Sequence, residues 1–196
     1  LGPLVAPELH LTSQDCIDCV TASADLSADN ATKEIAAVVG SRDVGLFIGN
    51  AGADSTNTLF LDTEIDEWVG QINRNVVNIT RCCHLFAGPM VERGRGGIIL
   101  VGSGACYGGA SYMSVYSGTK AFDLCFGEGL WTELQPKGVD VLNLILGQTD
   151  TPAFRASLAK TGSPVPDNLA SPEEVARVGF KRLPYGPVHN WGQSDE

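Results

Sequence analysis

The chain has 196 residues, of which 43% are hydrophobic and 18% charged, a composition typical of one folded domain and not of a disordered segment. Its formal net charge is -10 at pH 7, which disfavours nucleic acid and anionic membrane surfaces as partners. The apolar runs are far shorter than a membrane span. We therefore expect a single domain over residues 1–196, with no nucleic-acid partner and no membrane span.

The six cysteines are an ordinary number for a chain of this length. Cys16 and Cys19 form a Cys-x-x-Cys pair, but a zinc site needs two more ligands at a fitting spacing. The three histidines are scattered along the chain. We expect free thiols, no metal and a cytoplasmic protein; metal or redox use of this pair is the alternative.

Hydrophobic periodicity divides the chain into alternating strands and helices. Continuous apolar runs predict buried strands, and apolar residues that recur every three or four positions predict helices. Gly40, Pro89 and Gly138 are the expected helix ends. The predicted elements are a short strand at 19–22, helix 31–39, strand 44–48, helix 63–90, strand 98–101, helix 114–135, strand 139–145, a loop at 153–169 with one short amphipathic segment, and a helix that begins after Ser171.

Strands and helices in this order predict an α/β fold with a parallel sheet. Ligands of such sheets bind beyond the carboxyl ends of the strands. The three predicted buried strands run into small or polar residues at Asn50, Ser103 and Gly147. We therefore expect the functional site at this edge of the sheet.

Tyr116 and Lys120 are four residues apart on a predicted helix, so their side chains share one face. A free phenol titrates near pH 10, too high for a base at neutrality. An ammonium about 5 Å away, at an effective dielectric constant of about 20, lowers that value by roughly 2 units. The pair is therefore a candidate general acid/base, although the same spacing also occurs in ordinary surface pairs.

Further segments accompany this pair at matching distances along the chain. They are Asn50-Ala51-Gly52, Ser103, Tyr116-Ser117-Gly118-Thr119-Lys120 and Gly147-Gln148-Thr149-Asp150-Thr151-Pro152. In order and spacing, over about residues 20–190, they resemble the short-chain dehydrogenase/reductases. The resemblance implies a Rossmann-like, doubly wound parallel sheet and an enzyme that moves a hydride between a nicotinamide cofactor and an alcohol or carbonyl.

The resemblance also implies catalytic roles for four residues. Tyr116 would pass a proton to or from the substrate oxygen, and Ser103 would donate a hydrogen bond to that oxygen. Lys120 would assist Tyr116 and hold the nicotinamide ribose. Asn75 would hold a water molecule that links Lys120 to solvent; its alternative is an ordinary polar helix residue.

Cofactor contacts are implied for a second set of residues. Asp25, in the Asp25-Leu26 pair, matches the acid that contacts the adenine, and its alternative is a helix cap before Ala31. Thr151 would contact the pyrophosphate or the carboxamide. The complete set of expected cofactor contacts is Asp25, Leu26, Asn50, Ala51, Gly52, Tyr116, Lys120, Gly147 and Thr151. The choice between NAD and NADP stays open.

The chain departs from the family at its beginning. The Gly-rich TGxxxGxG turn that cradles the pyrophosphate does not occur, so the first strand–helix–strand unit is expected to be missing. Residues 1–7 are interpreted as the tail of the second strand. Without the first strand, the strand ending at Asn50 is expected to have an open apolar edge. We interpret the sequence as an N-terminally truncated member, and the alternative is a natural miniature.

The expected substrate is a small, apolar alcohol or carbonyl compound, because two segments that border the substrate in the family are apolar or aromatic here. These residues are Tyr107, Tyr112, Met113, Phe154 and Leu158.

A non-catalytic subunit or binding protein is the alternative function, and a hydrolase using Ser103 is disfavoured because no GxSxG motif surrounds it. The resemblance also implies a homodimer or homotetramer, because members of the family commonly pair their subunits. The expected pairing face is formed by Leu124, Phe126, Leu130 and Trp131. Gly127 and Gly129 would allow two helices to approach closely there.

Overall fold

The computed structural model describes residues 19–54 and 56–192. The expected alternation of strands and helices is present. The helices are α1 (Ala31–Val39), α2 (Ile65–Ile72), α3 (Asn78–Glu92), α4 (Ser114–Leu134), α5 (Pro152–Thr161) and α6 (Pro172–Arg182). The strands are β1 (Leu46–Gly49), β2 (Gly96–Ser103), β3 (Val139–Leu146) and β4 (Val188–Asn190).

The four strands form one parallel sheet in the order β1-β2-β3-β4. β2 and β3 pair along their whole length, from Gly96 beside Val139 to Ser103 beside Leu146. The carboxyl ends of β1, β2 and β3 therefore lie at one edge of the sheet, where the sequence analysis expects the site.

Apolar side chains of β2 and β3 alternate between the two faces of the sheet. Ile98 and Leu100 of β2 pack with α3 and α4 on one face, whereas Ile99 packs with α6 on the other. Both faces are therefore covered, which explains why these strands are apolar throughout. The doubly wound α/β class expected from the sequence is confirmed.

The helix predicted over 63–90 is a single rod with an irregularity in its middle. α2 and α3 are joined by a π-helical segment, Asn73–Val77, whose hydrogen bonds span five residues instead of four. The rod continues past Pro89 to Glu92, so the predicted end at this proline is wrong. Pro89 lies near the end of α3, where the missing proline N–H interrupts only one of the last hydrogen bonds.

Two other sequence predictions are corrected. Residues 19–22 are not a strand; they are exposed, and in the described part of the chain no neighbouring strand offers them a partner. The segment 153–169, predicted as a loop with one short amphipathic segment, contains most of the ten-residue helix α5, which begins at Pro152 and is capped by Thr151. The predictions for Cys16 and for residues 1–7 lie outside the described residues.

The expected pairing face of α4 is largely used within the chain. Phe126, Leu130 and Trp131 pack against the core between α3, α4 and the sheet. Gly127 approaches a strand of its own chain, since a Cβ atom there would lie 2.3 Å from the Nδ2 atom of Asn143 on β3. Phe126, Gly127, Leu130 and Trp131 therefore have a structural role inside the domain.

β1 lies at an edge of the sheet formed by the described residues, with Ile48 43% exposed. The backbone of β1 pairs there with β2 alone. The open edge expected beside the strand ending at Asn50 is thus present in the described part of the chain. Among these residues, every helix is too short or too polar to cross a lipid bilayer.

Candidate active site

Lys120 is a buried cation at the carboxyl end of β2. It lies in the second turn of α4, and its side chain is 4% exposed. The ammonium Nζ donates to the carbonyl oxygen of Val101 and to Oδ2 of Asp123, at 3.0 Å each. Two of its three N–H donors are used in these bonds, which fix the ammonium two residues before the end of β2.

Gly52, from the turn after β1, faces this ammonium. A Cβ atom at Gly52 would lie 3.1 Å from Nζ of Lys120 and 3.5 Å from Oδ1 of Asn75. The absence of a side chain at residue 52 therefore leaves space between the two polar groups. The structure brings Gly52, Asn75 and Lys120 together, although they are far apart in the sequence.

Asn75 lies in the π-helical segment and is 1% exposed. Its Nδ2 donates to Oγ1 of Thr119, at 3.1 Å, and lies 3.5 Å from the carbonyl oxygen of Ala53. Its Oδ1 is buried and has no hydrogen-bond partner among the described residues. A buried amide oxygen without a partner is costly, which indicates a position for water or a ligand group beside Gly52.

Thr119 connects this asparagine to the helical turn that carries Tyr116. Its hydroxyl accepts from Asn75 and donates to the carbonyl oxygen of Tyr116, at 2.8 Å. Tyr116 is half-buried and lies one turn before Lys120, as the four-residue spacing predicts. The side chain of Asn75 is thereby tied to the backbone of the tyrosine.

Ser103 is the last residue of β2 and is half-buried. Its Oγ accepts from the backbone N–H of Ala105, at 3.3 Å, and so caps the short 3₁₀ turn Gly104–Tyr107. The structure places Ser103 at the same end of β2 as the Val101 carbonyl that holds Lys120.

Asn50 and Ala51 follow β1 and are exposed beside Gly52. Gly147 follows β3, and Thr151 lies four residues further on as the cap of α5, where its Oγ1 accepts from the N–H of Phe154. The three strand ends thus carry the expected residues at one edge of the sheet. In this structure the Thr151 hydroxyl oxygen is therefore engaged in capping α5.

Asp25 and Leu26 lie in a turn before α1. Ser27 donates its hydroxyl and its backbone N–H to Oδ1 of Asp25, and these bonds hold the pKa of Asp25 below its usual value, with a smaller contribution from Arg74. Asn30 is the cap residue of α1, so the alternative of Asp25 as that helix cap is wrong. Leu26 is half-buried. The turn packs on the π-helical segment, where Asn73 donates to the carbonyl oxygen of Ser27.

The residues expected to border a substrate are largely accessible. Tyr107 and Tyr112 are 61% and 51% exposed, and Phe154 and Leu158 of α5 are half-buried, as is Met113. The hydroxyl of Tyr107 donates to Oδ1 of Asn190 on β4, at 2.6 Å. This bond ties the turn after β2 to the edge of the sheet.

Two residues of this cluster were missed by the sequence analysis. Asp123 is 4% exposed and forms the ion pair with Lys120; burial raises its pKa, while the neighbouring Lys120 opposes that shift. Thr119 carries the link from Asn75 to Tyr116. An acidic residue in the otherwise apolar stretch 121–126, three positions after Lys120, was the available signal for Asp123.

Comparisons with known proteins identify the family of this chain. Residues 6–162 match the family model of the short chain dehydrogenases. The 7beta-hydroxysteroid dehydrogenase of Mediterraneibacter gnavus is 30% identical over 169 residues, covering 85% of this chain and 64% of that protein. The very-long-chain 3-oxoacyl-CoA reductase of Aspergillus fumigatus is 29% identical over 177 residues, covering 87% of this chain and 50% of that protein.

A solved structure gives the same result. The short-chain dehydrogenase from Sphingobium yanoikuyae in complex with NADPH is 27% identical, with a TM-score of 0.72 over 85% of this chain and 65% of that one. The chain spans roughly half to two thirds of the length of the two curated relatives named above. From the family match over residues 6–162 and the shared fold, the chain belongs to the short-chain dehydrogenase family.

Proposed function

We propose that this chain carries the acid/base machinery of an NAD(P)-dependent oxidoreductase that interconverts an alcohol and a carbonyl. The observation that carries the proposal is the buried Lys120 ammonium, held at the end of β2 one helical turn after Tyr116, with Gly52 and Asn75 beside it. Family membership makes this class of chemistry the first expectation.

The residues fit a nicotinamide dinucleotide at this edge of the sheet. The orphaned Oδ1 of Asn75 and the space left by Gly52 support a bound polar group next to Lys120. Lys120 has one N–H donor beyond the two in its protein bonds, and this donor is available for a ribose hydroxyl. Bound there, the nicotinamide supplies or accepts the hydride.

The proposed work of the protein is to handle the proton. Tyr116 takes the hydroxyl proton during oxidation of an alcohol and returns it during reduction of a carbonyl. The ammonium of Lys120 stabilises the phenolate form of Tyr116 by its charge. Ser103 donates a hydrogen bond to the substrate oxygen, where negative charge develops. Asn75 supports the proton path to solvent behind Lys120.

For the substrate, we propose a secondary alcohol or ketone on an apolar body. The exposed aromatic rings of Tyr107 and Tyr112 and the half-buried Phe154 support this class. So do the names of the relatives, which are a hydroxysteroid dehydrogenase and a 3-oxoacyl-CoA reductase. The choice between NAD and NADP stays open, and pairing of copies and the cytoplasmic location stay predictions.

Replacement of Tyr116 by phenylalanine tests the proposed acid/base. We expect turnover of hydrophobic secondary alcohols and ketones to fall by about 10²–10⁴-fold, while the affinity for the dinucleotide is retained, because only the proton-transferring hydroxyl is removed. Tyr185→Phe is the matched control, since Tyr185 is 72% exposed on the turn before β4. Turnover by Tyr116→Phe within about twofold of the unsubstituted chain would refute the assigned role.

A further inference from the structure

A buried carboxylate lies beside Lys120, and the mechanism above gives it no role. Asp123 is 4% exposed, and its Oδ2 accepts from Nζ of Lys120 at 3.0 Å. Its other oxygen, Oδ1, is buried and has no hydrogen-bond partner among the described residues. A carboxylate in such a place is unfavourable unless a cation compensates it. Among the described residues, its ion-pair partner is Lys120, the lysine assigned to the reaction.

The groups around the pair leave these two charges dominant near neutral pH. Cys83 of α3 is coupled electrostatically to Asp123, and Cys106 of the turn after β2 is coupled to Lys120. Burial raises the pKa of both thiols, that of Cys83 to about 12. Burial therefore favours the neutral form of both thiols.

Tyr116, Lys120 and Asp123 are spaced by four and then three residues along α4. These intervals place the three residues along one face of the helix, with Lys120 between Tyr116 and Asp123. Two helical turns separate Tyr116 from Asp123, which is about 10.5 Å along the helix axis. The carboxylate is therefore close enough to act on the phenol through its charge.

We propose that Asp123 is a positioning residue, whose carboxylate holds the Lys120 ammonium in place and offsets part of the charge that Tyr116 experiences. This inference rests on the proposed function, because it concerns the same acid/base group. A nearby negative charge favours the protonated forms of both the phenol and the amine. The carboxylate thus keeps the ammonium fixed one helical turn after Tyr116.

Replacement of Asp123 by asparagine removes the charge and keeps the shape of the side chain. We expect the acid limb of the kcat/KM profile for alcohol oxidation to move to lower pH by about one unit, the effect of a charge about 10 Å away at an effective dielectric constant of about 20. The plateau of the profile should also fall, because the ammonium loses its anchor. Asp123→Glu retains the charge, so its acid limb should stay where it is in the unsubstituted chain.

A purely structural role for Asp123 predicts a different result. Both variants would then have lower plateaus and unmoved acid limbs, and this result would overturn the inference. The pH at the midpoint of the limb is therefore the informative quantity, since damage to the packing of α4 lowers the amount of active protein without moving that midpoint.

A second readout does not depend on turnover. The ultraviolet absorbance of the Tyr116 phenolate is obtained as the difference between each chain and its Tyr116→Phe counterpart, and its midpoint should move to lower pH in Asp123→Asn. Absence of any alcohol oxidation by the unsubstituted chain would reject the proposed function, while a shifted absorbance midpoint would still support the electrostatic coupling. An unmoved absorbance midpoint would overturn the inference whatever the turnover.

The loss of one partner from a buried ion pair is destabilising, so the test also needs a measurement on the unsubstituted chain. If Asp123→Asn does not fold, the carbon-13 chemical shift of the Asp123 carboxyl group is measured in the unsubstituted chain instead. An ionised carboxylate at and above neutral pH supports the inference. A protonated Asp123 at pH 7 would overturn it, because a neutral carboxyl group cannot hold the ammonium by charge.

Discussion

The contact between Gly127 of α4 and Asn143 of β3 shows how closely single residues determine the packing around the site. Asn143 is fully buried, and its Nδ2 donates to the carbonyl oxygen of Leu124 at 3.3 Å. A Cβ atom at Gly127 would lie 2.3 Å from this Nδ2 atom and 2.5 Å from Oδ1. The helix that carries Tyr116 and Lys120 therefore rests on the sheet through a glycine.

Two glycine-to-alanine variants of the same helix test this contact. Gly127→Ala should lower the free energy of unfolding by about 1–3 kcal/mol, because the added methyl group must displace the Asn143 amide. Gly129→Ala is the matched control: a Cβ atom there meets nothing within 4 Å, so alanine should stabilise the helix by about 0.5–1 kcal/mol. Urea unfolding of the two variants measures the difference, and equal effects would contradict the packing described here.

At the same scale, the place of a candidate residue along its own element could be predicted from the sequence, but its hydrogen-bond partners in other elements could not. The spacing of Tyr116 and Lys120 placed both on one helix face, because helical geometry alone sets that relation. The bond from Lys120 to the Val101 carbonyl joins two elements, and no local pattern indicates it. Asn75 is buried within a π-helical segment, which hydrophobic periodicity does not detect.

Among the elements, α6 has the clearest sequence signal and the clearest structural basis. Ser171 is its N-cap, and its Oγ accepts from the N–H of Glu174 at 3.2 Å. The same hydroxyl donates to Oε2 of Glu173, at 2.9 Å. Pro172 occupies the first turn, where its missing N–H costs nothing. The sequence predicted a helix that begins after Ser171, and the structure adds the two hydrogen bonds of the Ser171 hydroxyl.

Loss of this cap should be measurable. Ser171→Ala should lower the free energy of unfolding by about 1 kcal/mol, since one N–H at the start of α6 loses its acceptor. Asn30→Ala is the control at the corresponding position of α1, where the asparagine side chain makes no capping bond. Urea unfolding should place Asn30→Ala closer to the unsubstituted chain, and the opposite order would refute the assigned role of the Ser171 hydroxyl.

Length explains which elements could be predicted. β2 and β3 have eight residues each and are buried on both faces, so continuous apolar runs identified them. β4 has three residues, too few to show a period, and its pairing with β3 depends on the fold. The strand expected at 19–22 rested on a run of only four residues, and exposed residues occupy that segment instead.

For the molecule as a whole, the central proposal is that the edge of the sheet that carries the site forms a dinucleotide cleft. Gly52, Ser103 and Gly147 lie at or just after the ends of β1, β2 and β3, and the Lys120 ammonium donates to the Val101 carbonyl near the end of β2. The chain spans 64% of the length of the 7beta-hydroxysteroid dehydrogenase and 50% of that of the very-long-chain 3-oxoacyl-CoA reductase.

Titration of the chain with NADH and with NADPH, followed by nicotinamide fluorescence, tests this claim most directly. The arrangement around Lys120, Asn75 and Gly52 predicts binding of at least one dinucleotide with a Kd on the order of micromolar. Excess oxidised dinucleotide should displace it, which separates binding in the cleft from non-specific association. Failure of both dinucleotides to bind at concentrations up to about 1 mM would contradict the proposal that this edge of the sheet is a dinucleotide site.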